Sequence, residues 1–138
     1  MTKLKQSKID LANKTVNYLQ NLNKGYNLVE TKKPIVVAGL NFYLDLVLFH
    51  EVLNSYLLIN FKFTRINKTD IGKMQIYLNS YKNKLANNQA TNLIGIIVLL
   101  NKKINKKNLK IINLESNFGL NIYNIIKPDL FNLLEELQ

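Results

Sequence analysis

The sequence predicts an α/β domain in which a mixed central β-sheet is flanked by helices, and three observations carry that prediction. Segments with apolar residues at helical spacing alternate with runs of strand length along the chain, in the order α-β-β-β-α-β-α-β-α. Phe42–His50 is largely apolar on both of its alternating faces, which marks an interior strand covered on both sides. The 138 residues are 47% apolar and 20% charged, enough for one core and too few for two ordinary ones. A single domain over 1–138 is therefore expected, with an N-terminal helix within 1–24, a core over 25–126 and a C-terminal helix over 127–138.

Each element has its own signal. Leu4, Ile9, Ala12, Val16, Leu19 and Leu22 recur at helical spacing, and Asn23-Lys24-Gly25 supplies the stop. Lys33 to Ala38 reads as a short strand, with a turn from Gly39 to Asn41. Phe42–His50 follows, Glu51 to Asn54 reverses the chain, and Ser55 to Phe63 is the third strand. Thr69 is positioned to cap a helix starting near Asp70, whose apolar stripe is Ile71, Met74, Tyr77, Leu78, Tyr81 and Leu85. A polar loop over 87–92 leads into the buried strand Leu93–Leu100. The lysine-rich stretch after it is expected to be a short helix or irregular segment as far as Leu114. Gly119 introduces a last strand, Leu120 to Ile126, and Pro128 opens a terminal helix ending at Glu135-Glu136.

Composition excludes several classes of function. Without cysteine there are no disulfides, thiolate metal sites or cysteine nucleophiles, and a lone histidine, His50, leaves little for a triad or a His-rich metal site. The longest apolar run, Leu93–Leu100 with Gly95 inside it, falls far short of the roughly 18–20 residues of a membrane span, and Met1 to Lys5 leads into a polar stretch without a signal-peptide core. A cytoplasmic protein with no membrane partner is expected. The five glycines show no phosphate-cradling spacing.

The charge is more telling. Nineteen basic residues against nine acids give +10, and eighteen of the nineteen are lysine. Together with 22 asparagines this resembles an AT-rich codon bias, so position matters more than number. Between Asn60 and Lys110 eleven basic residues meet a single acid, Asp70, and this segment accounts for the whole net charge. A field concentrated in this way favours a polyanion, most simply nucleic acid. Arg65, Lys68, Lys73 and the cluster Lys102, Lys103, Lys106 and Lys107 are the candidate phosphate contacts.

Three polar residues interrupt otherwise apolar strands: Asp45 in the second, Asn60 and Lys62 in the third. Asn60 and Lys62 are two apart and share a face. A turn symmetric about Val52 and Leu53 puts Asp45 opposite Asn60. Buried polar groups are costly unless partnered, so the three form either a site, a self-satisfying network or a plain Asp45–Lys62 ion pair.

Phe42-Tyr43-Leu44-Asp45-Leu46-Val47-Leu48-Phe49-His50, Leu58-Ile59-Asn60-Phe61-Lys62 and Thr69-Asp70-Ile71-Gly72-Lys73-Met74-Gln75-Ile76-Tyr77 resemble the YhcG-type branch of the PD-(D/E)XK nuclease superfamily. The likeness continues through Leu93-Ile94-Gly95-Ile96-Ile97 to Gly119 without a gap after Asp45, and begins near Leu19. It implies a restriction-endonuclease-like core. In that superfamily the Asp of the second strand and an acid in the third bind a divalent metal, usually magnesium. A Lys two residues after the acid orients or activates the attacking water. Magnesium requires hard anionic oxygens, the metal polarises the phosphate and acidifies its water, and the Lys offsets transition-state charge.

By position Asp45 matches the metal-binding Asp and Lys62 the catalytic Lys, but Asn60 stands in the place of the acid. Its one neutral carbonyl oxygen weakens any Mg2+ site at Asp45. Asn21 stands where the family usually has a Glu near the end of its first helix, and Lys73 where relatives often have Gln. Among other acids, Glu51 lies about 20 Å along the strand from Asp45 and Asp70 suits a helix start, which leaves Glu30 as the one open substitute. Full-length relatives usually carry an additional N-terminal domain, whereas here the helix over 4–23 precedes the nuclease-like core.

The expectation is a DNA-binding nuclease-like domain with a degenerate catalytic centre formed by Asp45, Asn60 and Lys62. Two alternatives stand beside it. One is an active Mg2+-dependent DNA endonuclease using the same residues. The other is a protein-interaction module, for example a homodimer formed through Leu130, Phe131, Leu133 and Leu134.

Overall fold

Eight elements follow one another in the computed structural model: α1 (Lys3–Asn21), β1 (Tyr26–Val37), β2 (Leu40–His50), β3 (Ser55–Lys62), α2 (Lys68–Lys84), β4 (Asn92–Asn101), β5 (Lys106–Ile112) and α3 (Phe118–Glu136). The structure describes residues 3–37, 39–85, 92–101, 106–112 and 118–137, and their side chains except at 3–6, 37, 40, 106–112 and 118–122. The expected loop over 87–92 falls almost wholly outside them.

The five strands form one mixed sheet in the order β1-β2-β3-β4-β5. All neighbours are antiparallel except β3 and β4, which run parallel because α2 carries the chain back between them. The period of two along the interior strands sorts their side chains onto two faces. Leu46, Leu48, Leu57, Ile59, Phe61, Ile94, Ile96 and Val98 pack against α1 (Leu11, Ala12, Val16, Leu19) and α3 (Ile126, Leu130, Leu133, Leu134). Val47, Leu58 and Ile97 meet Met74, Tyr77, Leu78 and Tyr81 of α2 on the opposite face. Gly95 allows α2 its close seat, since a Cβ there would lie 2.5 Å from Met74 Cγ. No helix among the described residues is long and apolar enough to cross a membrane.

Several boundaries differ from the sequence expectation, each for a physical reason. β1 begins at Tyr26 rather than Lys33: it is an edge strand whose polar middle masks its periodicity, with a register shift between Leu28 and Glu30 and a left-handed Lys32 (φ 51°). α2 is capped by Asn67 rather than Thr69. The Asn67 side chain accepts from the Asp70 N–H while the Asp70 carboxylate accepts from the Asn67 N–H, a reciprocal capping box.

The expected helix or irregular stretch up to Leu114 instead contains strand β5. Lysines suit that edge, because charge on an edge strand discourages pairing with further chains. The expected last strand, Leu120 to Ile126, is the first part of α3, which runs on through Pro128. Its apolar residues satisfy a strand pattern locally, but Ile126, Leu130, Leu133, Leu134 and Leu137 are buried at helical spacing. The C-terminal helix therefore starts at Phe118, not near Pro128, and among the described residues the expected last strand is absent.

Candidate active site

The β2–β3 ladder runs from His50 opposite Ser55 to Leu46 opposite Ile59, the register expected of a turn symmetric about Val52 and Leu53. One step further, at Asp45 and Asn60, side chains take over. The Asp45 N–H donates to Asn60 Oδ1 at 2.8 Å, and the Phe61 N–H donates to Asp45 Oδ2 at 2.9 Å. Each strand thus satisfies the other's main-chain donor with a side-chain oxygen, and neither of these two N–H groups is orphaned where the ladder ends.

A cavity of about 730 Å³ opens at this end of the sheet, between α1 and α2. Its lining includes Lys8, Ile9 and Ala12 of α1, Lys32 of β1, Asp45 of β2, Asn60 and Lys62 of β3, and Asp70, Lys73 and Tyr77 of α2. All three residues of the expected centre therefore line one cavity, but Asp45 and Lys62 do not pair with each other. Lys62 Nζ is 2.9 Å from Asp70 Oδ1, and Lys8 Nζ is 3.5 Å from Asp45 Oδ2. Four lysines meet two carboxylates in the lining, which gives the cavity a positive balance.

Burial pushes the Asp45 carboxyl above the usual carboxylate range, opposed by Lys8 and by the hydrogen bond from Phe61. Burial acts in the same direction on Asp70, but the Lys62 ammonium, the Asn67 N–H and Lys73 outweigh it and hold its carboxyl below that range. The Tyr77 hydroxyl is pushed up to about 12 by burial and by the Asp45 charge, with the Asn60 side chain opposing. Tyr77 and Tyr81 are core residues of α2, and their hydroxyls donate to the Tyr43 carbonyl and to Glu30 respectively.

The substitute acids can now be judged. Glu30 is held by the Tyr81 hydroxyl and by Lys33, 3.6 Å away, and does not line the cavity. Glu51 is exposed in the turn at the opposite end of β2. Asp70 is the second carboxylate of the cavity, which its capping role concealed in the sequence, yet both its oxygens are engaged, by Lys62 and by Asn67. Asn21 is exposed at the far end of α1 and takes no part in the lining. The α1 residue that reaches the site is Lys8, and no local signal announced it, because its role depends on where α1 docks.

These residues do not fit a magnesium ion. The Asn60 carbonyl oxygen already accepts the Asp45 N–H, Asp45 Oδ2 already faces an N–H and an ammonium, and the described residues contain no group of three or more acidic, His or Cys ligands.

Of the expected phosphate contacts, Arg65 and Lys68 are exposed, and Lys73 is half-buried in the cavity wall with Nζ 5.3 Å from the Phe42 ring centre. Lys106 and Lys107 open β5 opposite Asn101 and Leu100, at the same end of the sheet as Lys62, which pairs with Leu99. Lys102 and Lys103 lie outside the described residues.

A mixed sheet between helices, with an Asp and a Lys at one end of its central hairpin, defines a restriction-endonuclease-like α/β domain. The family model of the YhcG PDDEXK nuclease domain matches residues 3–138, and the chain belongs to that family. No curated protein and no solved structure matches the chain.

Proposed function

We propose that this nuclease-family domain binds DNA and has lost phosphodiester hydrolysis, or retains only a trace of it. Family membership supports a nucleic-acid partner, and the lysines around the cavity supply the charge to hold one. The observation that carries the loss is the Asp45–Asn60 exchange. An amide occupies the second acidic position, and its oxygen serves a backbone N–H. Lys62 keeps its place in the cavity, but its ammonium is directed to Asp70. The absence of cysteine is in keeping with a reducing, cytoplasmic setting.

Plasmid nicking in Mg2+ and Mn2+ tests the reading, with wild type compared with Lys62→Ala. No nicking above background is expected from either. Nicking by the wild type that Lys62→Ala abolishes would establish the active endonuclease instead. DNA affinity measured across salt is the companion experiment. Contact with about five phosphates gives a log–log slope of about −4 to −5, whereas a flat response favours a protein-interaction module. That third reading has lost its main support, because Leu130, Leu133 and Leu134 are buried in the core and only Phe131 of that group is exposed.

A further inference from the structure

We propose that the Lys8 ammonium is the resident cation of this site, neutralising Asp45 where a nuclease would hold a metal ion and closing the position to divalent cations. The inference rests on the reading of the centre as degenerate and identifies what replaced its cation.

Asp45 is a carboxylate with a side chain only 8% exposed, and it lies where β2 and β3 exchange side-chain for main-chain bonds. A buried carboxylate needs a counter-charge. The nearest lysine along the strands, Lys62, is committed to Asp70 at 2.9 Å. Lys8 comes from a different element, with its own side chain one-third exposed and Nζ 3.5 Å from Asp45 Oδ2. Its neighbours Ile9 and Ala12 line the same cavity wall, so the packing of α1 fixes where the ammonium sits.

The two kinds of cation make different demands. Magnesium requires a near-octahedral shell of oxygens with at least one or two carboxylates among them. An ammonium needs one carboxylate and whatever acceptors or water complete its three donors. The cavity offers the second and not the first. Restoring an acid at Asn60 would not by itself recreate a metal site, because Lys8 would still oppose the ion at short range.

The test uses no nucleic acid. Thermal unfolding and Mn2+ titration, by calorimetry or by the Mn2+ paramagnetic signal, are compared for wild type, Lys8→Met, Asp45→Asn, Lys8→Met/Asp45→Asn, Asn60→Asp and Lys8→Met/Asn60→Asp. Lys8→Met is expected to lower Tm in the wild-type background and to have almost no effect once Asp45 is Asn. Lys8→Met/Asn60→Asp is expected to bind Mn2+ at least about tenfold more tightly than Asn60→Asp alone, and to gain Tm with Mn2+. Equal Tm losses from Lys8→Met in both Asp45 backgrounds would overturn the pairing. Equal Mn2+ affinity with and without Lys8 in the Asn60→Asp background, or tight Mn2+ binding by the wild type, would overturn the exclusion. Should Lys8→Met/Asn60→Asp fail to fold, the Asp45 cycle still decides the pairing. A flat salt dependence of DNA binding would sink the DNA-binding reading and leave Lys8 untouched, while loss of the Lys8–Asp45 coupling leaves DNA binding standing.

Discussion

Asp45 and Asp129 are buried to nearly the same degree, 7% and 6% exposed, yet they do opposite things at opposite ends of the β2–β3 ladder. Asp129 of α3 accepts from the Tyr26 hydroxyl at 2.7 Å and from Lys24 at 2.8 Å. Close by, His50 packs edge-on against Tyr26 and accepts the Leu53 N–H, so this end of the sheet is a lock joining β1, the β2–β3 turn and α3. Asp45 accepts one backbone N–H, faces a lysine at 3.5 Å and borders a cavity. Equal burial therefore does not mean equal purpose. Short bonds to two side chains describe a fastening, whereas a longer contact beside open space describes a candidate site.

The largest expected effect lies at the lock. Asp129→Ala leaves the buried Tyr26 hydroxyl without its acceptor and should cost about 3 kcal/mol in urea unfolding. A loss much smaller than that would erase the contrast between the two ends. Between them, Gly95→Ala forces a Cβ against Met74 and Leu78 and should cost about 2 kcal/mol by the same measurement. Because α2 also carries Asp70 and Tyr77 into the cavity wall, this variant sharpens how far the site depends on the seat of that helix.

Asp70→Asn is expected to cost about 1 kcal/mol near neutral pH, or about 4 °C in Tm. The Asp70 carboxyl is held below its ordinary value in the fold, so its contribution is present above that ordinary value and is lost as the pH falls through the folded one. The difference between Asp70→Asn and wild type should therefore close in acid. Asp45→Asn has the opposite sign. The folded chain holds a proton on Asp45 more tightly than the unfolded chain does, so wild-type stability from this group falls as pH rises from the ordinary value through the raised one. Asp45→Asn should show a small gain in Tm at neutral pH that vanishes in acid, read from Tm against pH. A loss of Tm at neutral pH would make Asp45 a fastening like Asp129.

Much of the site was legible in the chain because it rests on short-range rules. The turn at Glu51 to Asn54 and the period of two put Asp45 beside Asn60 and Lys62 on the face of Asn60, and the observed register agrees. The partners of those residues were not legible. Asp70 reads as a capping carboxylate and is one, yet its second oxygen also takes Lys62. Lys8 lies 37 positions before Asp45, and only the docking of α1 brings them together. Lys106 to Ile112 reads as irregular because lysine breaks its pattern, and the segment becomes a strand because β4 presents an open edge for it to pair with.

The sequence by itself determined the α/β class, the central β2–β3 hairpin with its register, and the placing of an amide, Asn60, next to Asp45, because these follow from residue identity and from spacing between near neighbours. The tertiary structure alone decided that Phe118–Glu136 is one helix, that the lysines of β5 complete the sheet, and which lysine faces which carboxylate. A short apolar segment satisfies strand and helix patterns almost equally well, and a charge finds its partner across space. Both choices are made by the surfaces left to cover once the core has formed.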